Sequence, residues 1–271
     1  MNRRSMAIVV VISIAAAVGI FFSFQRPGGK GNAVTSGSGA VSSLLFEAKN
    51  LEAQGNFLAS SNIYKRLIGE FPNSREVLDW QKKLESMNIK LLFLPVITPR
   101  SIEYEIKPGD SLEKIARGYK TTPELIAKSN NIFGDKIFPG KKIKVWTAPF
   151  SIVVDKSGNT LILKSEEEII KTYVVATGTN NITPVGTFKI IEKIVSPTWY
   201  KGGKGIPAGS PENILGSRWM GLDREGYGIH GTTDPKTLGS QVTAGCVRMA
   251  NQDVEELYII VPKGTEVTIV D

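Results

Sequence analysis

The sequence predicts a multidomain chain in which an apolar N-terminal helix and a short α-helical segment precede a small βααβ domain and a larger β-rich domain. Three observations lead to this fold class. An uncharged apolar run stands near the N-terminus, apolar residues recur at helical spacing behind it, and short β-branched runs bounded by turns fill the C-terminal part. With 271 residues, 41% of them apolar, the chain can form about two compact cores.

Charge and cysteine content limit the function classes. The formal net charge is +7, and the basic excess lies in residues 1–149. Such an excess attracts anionic lipid, anionic cell-wall polymer or nucleic acid. The basic residues are scattered without a run of five, which predicts that nucleic acid is not a partner.

One cysteine cannot form an intrachain disulfide, and zinc-ligand spacings are missing, so we expect no metal and no cofactor.

Residues 1–25 predict a signal anchor, that is, a transmembrane helix that stays attached. Arg3 and Arg4 precede an uncharged run over residues 5–25, which at 1.5 Å per residue is long enough to cross a hydrocarbon core of roughly 30 Å. The alternative is an export signal that is cleaved, which would leave a secreted protein. Export signals have shorter apolar regions, about 7 to 15 residues. The basic flank predicts that the rest of the chain lies outside the cytoplasmic membrane.

A Gly/Ser-rich linker over residues 26–40 and a helical segment over residues 41–92 follow. Two stretches of helical spacing are separated by Gly55 and Asn56, and a third helix is expected over residues 75–87. The pair resembles one tetratricopeptide (TPR) unit in its turn residue, aromatics and closing proline: Gly55, Phe57, Tyr64 and Pro72. The resemblance implies a protein-docking module, and a spacer bundle is the alternative.

Residues 101–148 predict a compact strand-helix-helix-strand domain. Tyr104 and Ile106 alternate as in a strand, Asp110 with Glu113 is typical of a helix start, and Thr122-Pro123 begins a second helix before the final strand. The order Gly-Asp-Ser-Leu, Ile-Ala, Leu-Ile-Ala, Asn and Pro-Gly-x-x-Ile-x-Val resembles the LysM module. This resemblance implies binding of N-acetylglucosamine-containing glycan, above all peptidoglycan. A LysM-like fold kept as a spacer is the alternative.

Residues 150–271 predict the β-rich domain. A hairpin turn is expected at residues 156–159 and a terminal strand at residues 265–271. One helix is expected from Asn251, with that residue or Asp253 as its cap, and Pro262 ends it.

The segments "TPVGTFKI" and "GIHGTTDPKTLGSQVTAGCVRM" include the only histidine and the only cysteine of the chain, His230 and Cys246. In their order and spacing they resemble the catalytic domain of the L,D-transpeptidases of the YkuD type, and the resemblance covers residues 150–271. It implies a cysteine nucleophile at Cys246. An unperturbed thiol is only a few per cent thiolate at neutral pH, so a base is needed, and His230 supplies the one imidazole.

Other site residues follow from the same pattern. A backbone carbonyl, that of Gly231, is expected to fix the tautomer of His230, and the N–H groups of Gly245 and Cys246 are candidates for the oxyanion site. Arg248 is expected to bind a substrate carboxylate or, alternatively, to form a structural salt bridge. Further substrate contacts are predicted at Thr232, Thr243 and Trp219.

Residues 197–223 and residues 243–244 are two further segments expected to affect substrate binding. The Gly/Pro-rich residues 197–223 predict a flap over the substrate, or aromatic anchors of the core. The family has Ser-His or Ser-Lys before the Gly-Cys pair, and this chain has Thr243 and Ala244 there. Thr243 keeps the hydroxyl, whereas Ala244 removes a polar side chain next to the nucleophile.

The resemblances together imply an envelope enzyme anchored in a bacterial cytoplasmic membrane, with peptidoglycan glycan and stem peptides as partners. Cys246 would form a thioester at the L,D bond after the third stem residue, and an acceptor amine would resolve it to give a 3→3 cross-link. The alternatives are an L,D-carboxypeptidase or a protein-anchoring ligase at the same site, or a non-catalytic peptidoglycan-binding protein. The helical hairpin adds a possible protein partner.

Overall fold

The computed structural model describes residues 33–271. The predicted signal anchor over residues 1–25 lies outside this part. Among the helices of the part that the structure describes, none is long and apolar enough to cross a membrane.

Three helices form the N-terminal part. They are α1 (Ala33–Ala53), α2 (Phe57–Glu70) and α3 (Val77–Phe93). The chain turns between α1 and α2 at Gly55, whose positive φ of 75° favours glycine, and the side chain of Asn56 caps α2. The hairpin and the third helix therefore occur where the apolar spacing predicted them, while α1 begins at Ala33, inside the segment expected to be a linker.

The βααβ domain has the predicted order. Its elements are β1 (Ser101–Glu105), α4 (Leu112–Tyr119), α5 (Pro123–Ser129) and β2 (Lys142–Trp146), with the two strands paired antiparallel. Thr122 caps α5 as expected. The expected start of α4 at Asp110 is wrong: Ser111 caps that helix, and the Asp110 carboxylate instead accepts hydrogen bonds from Lys107 N and Tyr104 Oη at 2.8 Å. The acid thus closes the turn before the helix.

The C-terminal domain is built on an eight-stranded sheet of order β13-β11-β10-β7-β14-β3-β4-β5. Its strands are β3 (Phe150–Asp155), β4 (Thr160–Ser165), β5 (Glu168–Val174), β7 (Gly186–Val195), β10 (Arg218–Leu222), β11 (Gly228–His230), β13 (Val247–Arg248) and β14 (Glu266–Val270). Two short pairs flank it: β6 (Thr177–Gly178) with β12 (Gln241–Thr243), and β8 (Trp199–Lys201) with β9 (Lys204–Ile206). The hairpin β3-β4 and the terminal strand confirm the sequence prediction.

Helix α6 (Asn251–Ile260) covers one face of this sheet. Met220, Ile229 and Val247, from three adjacent strands, are buried in one core with Leu257 and Ile260 of the helix. Because side chains alternate between the faces of a strand, the neighbours of these core residues point to the opposite face. The candidate site residues of β10, β11 and β13 lie on that second face.

The predicted cap of α6 is wrong. Ala250 occupies the cap position, and neither Asn251 nor Asp253 caps the helix with its side chain. Asn251 makes contacts elsewhere that bear directly on the site, as described below.

Buried polar contacts join the βααβ domain to the helical part within residues 44–271. The ammonium group of Lys144, from β2, donates to the carbonyls of Leu91, Leu92 and Leu94 at the end of α3. Its burial lowers the pKa of Lys144 to about 8. A cation at a helix C-terminus satisfies carbonyls that lack intrahelical partners. The βααβ domain is therefore packed against the helical part and is not carried on a free tether.

Candidate active site

Two short parallel strands bring the sole imidazole and the sole thiol of the chain to one region. Strand β11 pairs with β13 in the register His230 with Arg248 and Ile229 with Val247. Residues opposite each other in a parallel pair share a face, and so do residues two apart along a strand. Cys246 directly precedes β13 and stands two residues before Arg248, the strand partner of His230.

His230 is fixed by its own loop. The ring is buried, with 2% of the residue exposed, and Nδ1 lies 2.7 Å from the carbonyl oxygen of Gly231. A carbonyl only accepts, so the neutral ring carries its proton on Nδ1 and leaves the lone pair on Nε2. The indole of Trp219 stacks on the ring, with centroids 6.0 Å apart. The imidazole is thus held in the tautomer that can take a proton.

The electrostatics of the site favour the neutral forms. Burial lowers the pKa of His230 to about 4, while the hydrogen bond to Gly231 opposes this shift and the charge of Arg248 adds to it. Burial also raises the pKa of the Cys246 thiol, against a backbone hydrogen bond from Gly228 and the charge of Arg248. The resting site is therefore a neutral thiol beside a neutral imidazole, and it is not a preformed ion pair.

The thiol sits at the end of a tight turn. Sγ of Cys246 is partly exposed and donates to the carbonyl of Gly226 at 3.4 Å, not to the imidazole. Thr243 Oγ1 donates to the carbonyl of Cys246 at 2.6 Å and accepts from Gly245 N at 3.1 Å. The N–H of Gly245, expected to be an oxyanion donor, is therefore already engaged in the turn, while its φ of 120° requires a glycine.

Tyr227 explains further why position 245 has no side chain. A Cβ built on Gly245 would lie 2.7 Å from a ring carbon of Tyr227. The ring therefore packs against the backbone directly before the nucleophile. Ala244, the residue before Gly245, contributes no polar side chain to this turn.

Arg248 is held without an ion pair in the described part of the chain. Its Nη1 donates to Thr237 Oγ1 at 3.0 Å, and Asp234 acts on it only as a nearby charge. The Nε atom is buried without a hydrogen-bond partner among the described residues. The alternative prediction of a structural salt bridge finds no contact here, and the guanidinium keeps donors that a carboxylate would satisfy.

Thr232 and Asn251 shape the loop behind the imidazole. Oδ1 of Asn251 accepts from the backbone N–H groups of Thr232 and Ser217, both at 3.1 Å. The buried Thr232 hydroxyl accepts from Asp234 N at 3.0 Å. A Cβ on Gly231 would lie 2.2 Å from the same Oδ1. Asn251 therefore fixes the loop that orients His230. The sequence pattern had predicted only a helix cap at this residue.

Replacing Asn251 by alanine is expected to lower both stability and activity. Two buried N–H groups would lose their acceptor, which costs about 2 kcal/mol of unfolding free energy. The Gly231 carbonyl would also lose its support, so the rate of D-residue release should fall. Urea unfolding measures the loss of stability, and the rate of product release measures the loss of activity. Asn251→Asp is the matched control, because it keeps an acceptor oxygen. An alanine variant equal to wild type in both measurements would exclude the role.

Trp219 lies in strand β10 and not in a loop, in contrast to the predicted flap over residues 197–223. Its Nε1 donates to the Glu192 carboxylate of β7 at 3.1 Å. Glu192 belongs to no motif, so the sequence did not indicate its contact with Trp219. The part of the predicted flap before β10 contains the exposed β8-β9 hairpin, where Tyr200 is turned to solvent.

The depressed pKa of His230 predicts a loss of stability on acidification. The unfolded imidazole binds a proton below its ordinary value of about 6.5, whereas the folded one stays neutral down to about 4. Stability should therefore fall as the pH drops from about 6.5 to about 4, by about 3 kcal/mol in all. Unfolding free energies of wild type and His230→Gln at pH 7 and pH 4.5 test this. The glutamine variant should lose less, and equal losses would contradict the buried neutral ring.

Among residues 33–271, no group of three or more His, Cys, Asp or Glu side chains is arranged to hold a metal ion.

Comparison with known families divides the chain as the sequence motifs do. Residues 104–146 match the LysM domain, and residues 149–269 match the YkuD family, described as the L,D-transpeptidase catalytic domain.

Curated relatives cover more of the chain. A protein of Bacillus licheniformis named as an L,D-transpeptidase, YkuD, is 36% identical over 174 residues, which are 61% of this chain and 97% of the relative. The protein of the same name from Bacillus subtilis is 34% identical, over 62% of this chain and 98% of the relative.

Solved structures include an L,D-transpeptidase from Mycobacterium smegmatis, with 20% identity and a TM-score of 0.40. The match covers 49% of this chain and 64% of that protein, less than two thirds of its length.

Proposed function

The chain belongs to the YkuD family of L,D-transpeptidases, and on this premise we propose that it cross-links peptidoglycan stem peptides through a thioester on Cys246. One observation supports the proposal above the others: β11 pairs with β13 directly after Cys246, with His230 opposite Arg248, and the contact of Nδ1 with the Gly231 carbonyl leaves the lone pair of the imidazole on Nε2.

The first half-reaction is acylation. As Sγ of Cys246 attacks the carbonyl of the third stem residue, its proton passes to Nε2 of His230. The carbon–sulfur bond forms, and the bond to the terminal D-residue then breaks. The imidazolium returns the proton to the departing amine, so the site is neutral again. A low pKa for His230 suits this last step, because burial makes the imidazolium a stronger acid than an ordinary one.

Backbone and guanidinium groups are proposed to hold the substrate. The N–H of Cys246 is the oxyanion donor that we assign, since that of Gly245 already donates to Thr243. One such donor is worth about 3 kcal/mol in the transition state. Arg248, with donors left over and no ion pair in the described part of the chain, is assigned to a carboxylate of the stem peptide. Trp219 forms a wall beside His230.

The second half-reaction is aminolysis. An amine of a second stem attacks the thioester carbonyl, His230 takes its proton, and the carbon–nitrogen bond replaces the carbon–sulfur bond. The proton then returns to the sulfur of Cys246. The product is a 3→3 cross-link. If water attacks instead, the product is a trimmed stem peptide, as in an L,D-carboxypeptidase, and a protein amine would give an anchored protein.

The other parts are proposed to place the enzyme at its substrate. The LysM domain binds glycan of the wall, and its packing against the rest of the molecule holds it in one position relative to the catalytic sheet. Residues 1–25 anchor the chain in the cytoplasmic membrane with the described domains on the outer side. The TPR-like hairpin docks a protein partner. These three assignments rest on motifs of the sequence.

Product analysis tests the proposed reaction. The exterior part of the chain, residues 33–271, is incubated with disaccharide tetrapeptides, and the products are separated and weighed by mass spectrometry. The proposal expects released D-amino acid and dimers linked through third residues. Trimmed monomers alone would replace transpeptidation by carboxypeptidase activity, and unchanged muropeptides would leave a binding protein.

A further inference from the structure

The catalytic face of the sheet is electrically polarised across four strands. Arg248 lies on β13 at one side, His230 on β11, Trp219 on β10, and Glu192 on β7 at the other side. Glu192 pairs with Gly221, which is two residues from Trp219 and therefore on its face. A cation thus lies on the nucleophile's side of His230 and an anion on the far side.

Glu192 and Trp219 form a built pair and not a chance contact. The Nε1 of Trp219 donates to Oε2 of Glu192 at 3.1 Å. Two glycines make room for the indole: a Cβ on Gly228 would lie 2.6 Å from its ring, and one on Gly221 would lie 3.0 Å from Nε1. Glu192 is exposed, and no cation pairs with its carboxylate in the described part of the chain, so the carboxylate can meet a ligand from solvent.

We propose that Glu192 and Trp219 form the subsite that receives the acceptor amine. This inference rests on the proposed transpeptidase reaction and deepens it. A primary amine with the ordinary pKa of a lysine, near 10.4, approaches as an ammonium ion. Arg248 repels this ion from the donor side, whereas the carboxylate and the face of an indole both attract it.

Arg248 and Glu192, at opposite ends of this face, would then attract different substrates. The donor stem brings a carboxylate toward Arg248, and the acceptor brings an ammonium toward Glu192. After binding, the ammonium loses one proton to water, and the neutral nitrogen attacks the thioester on Cys246. Its second proton passes through His230 to the departing sulfur. A site without Glu192 would still form the thioester, but water would resolve a larger share of it.

The experiment measures how the acyl-enzyme divides between amine and water. Glu192→Gln keeps an oxygen for the Trp219 N–H and removes only the charge. The ratio of cross-linked to hydrolysed product, at an acceptor concentration below saturation, is expected to fall about fivefold, since an exposed ion pair is worth up to about 1 kcal/mol. Glu167→Gln, at a side chain 98% exposed on the β4-β5 turn, is the matched control and should keep the wild-type ratio.

The dependence of this product ratio on ionic strength gives a second readout. In wild type the ratio should fall as salt rises, because salt screens exposed charges, and in Glu192→Gln it should change little. An unchanged ratio in Glu192→Gln, with the thioester still formed, would overturn the subsite alone. A wild-type enzyme that forms no thioester would overturn the proposed function, and the subsite with it.

Discussion

Replacing Cys246 by alanine is expected to abolish release of the terminal D-residue and formation of cross-linked dimers, by at least about 10³-fold. Among the side chains that the structure brings to this face, only the thiol can form a thioester. The small side chain of alanine fits the turn, whose hydrogen bonds involve Thr243 and backbone groups. The measurement is the rate of D-amino acid release from tetrapeptide muropeptides by equal amounts of the two proteins.

Two comparisons make this result decisive. Far-ultraviolet circular dichroism and the urea midpoint of the alanine variant should be close to those of wild type, because the hydrogen bonds of Sγ are weak contacts with the backbone of Gly226 and Gly228. Binding of the variant to intact peptidoglycan should persist, since the LysM domain is untouched. An alanine variant that still released D-amino acid at an appreciable rate would refute Cys246 as the nucleophile.

Replacing His230 by glutamine is expected to slow acylation by about 10²- to 10⁴-fold at neutral pH. Burial raises the pKa of the Cys246 thiol, so without a base very little thiolate is present. The glutamine amide can still donate to the Gly231 carbonyl, which keeps the loop in place. The measurement is single-turnover acylation of wild type and variant between pH 6 and pH 9.

The shape of the pH profile separates a base from a structural role. Wild type should keep its activity down to about pH 5, because the pKa of His230 lies near 4. The glutamine variant should instead gain activity about tenfold per pH unit as solvent hydroxide supplies the thiolate. A parallel loss at every pH would indicate a damaged site, and near-normal activity at pH 7 would exclude His230 as the base.

Most elements could be predicted from the sequence because they depend on local signals, and the candidate reactive pair was proposed from signals of the same kind. Strand alternation, turn residues and helix caps such as Thr122 are patterns that involve only a few neighbouring residues. His230 and Cys246 stood out because each is the only residue of its kind. The LysM match covers residues 104–146 of the segment that was expected at residues 101–148.

The supporting residues could not be predicted because their partners are distant in sequence. Glu192 meets Trp219 only because β7 and β10 are neighbours, which no local pattern reveals. Asn251 looked like a helix cap, but tertiary contacts with Ser217 and Thr232 take its side chain. Lys144 belongs to a run that alternates like a surface strand, yet it is buried against the end of α3.

Trp219 was expected in a loop because glycine and proline dominate the residues before it. Strand β10 has five residues and includes Gly221, so its own pattern is weak. Its place in the sheet comes from pairing with β7 and β11 on both sides. Nonlocal pairing thus overrides a local composition that is typical of a flap.

The most direct test of the account is the intact mass of the wild-type protein trapped early in the reaction with a disaccharide tetrapeptide donor and no acceptor. The account predicts an adduct equal to the donor minus its terminal D-residue, carried by the peptide that contains Cys246 and lost on treatment with hydroxylamine. An adduct that keeps the terminal residue, or one attached at another residue while products form, would contradict it.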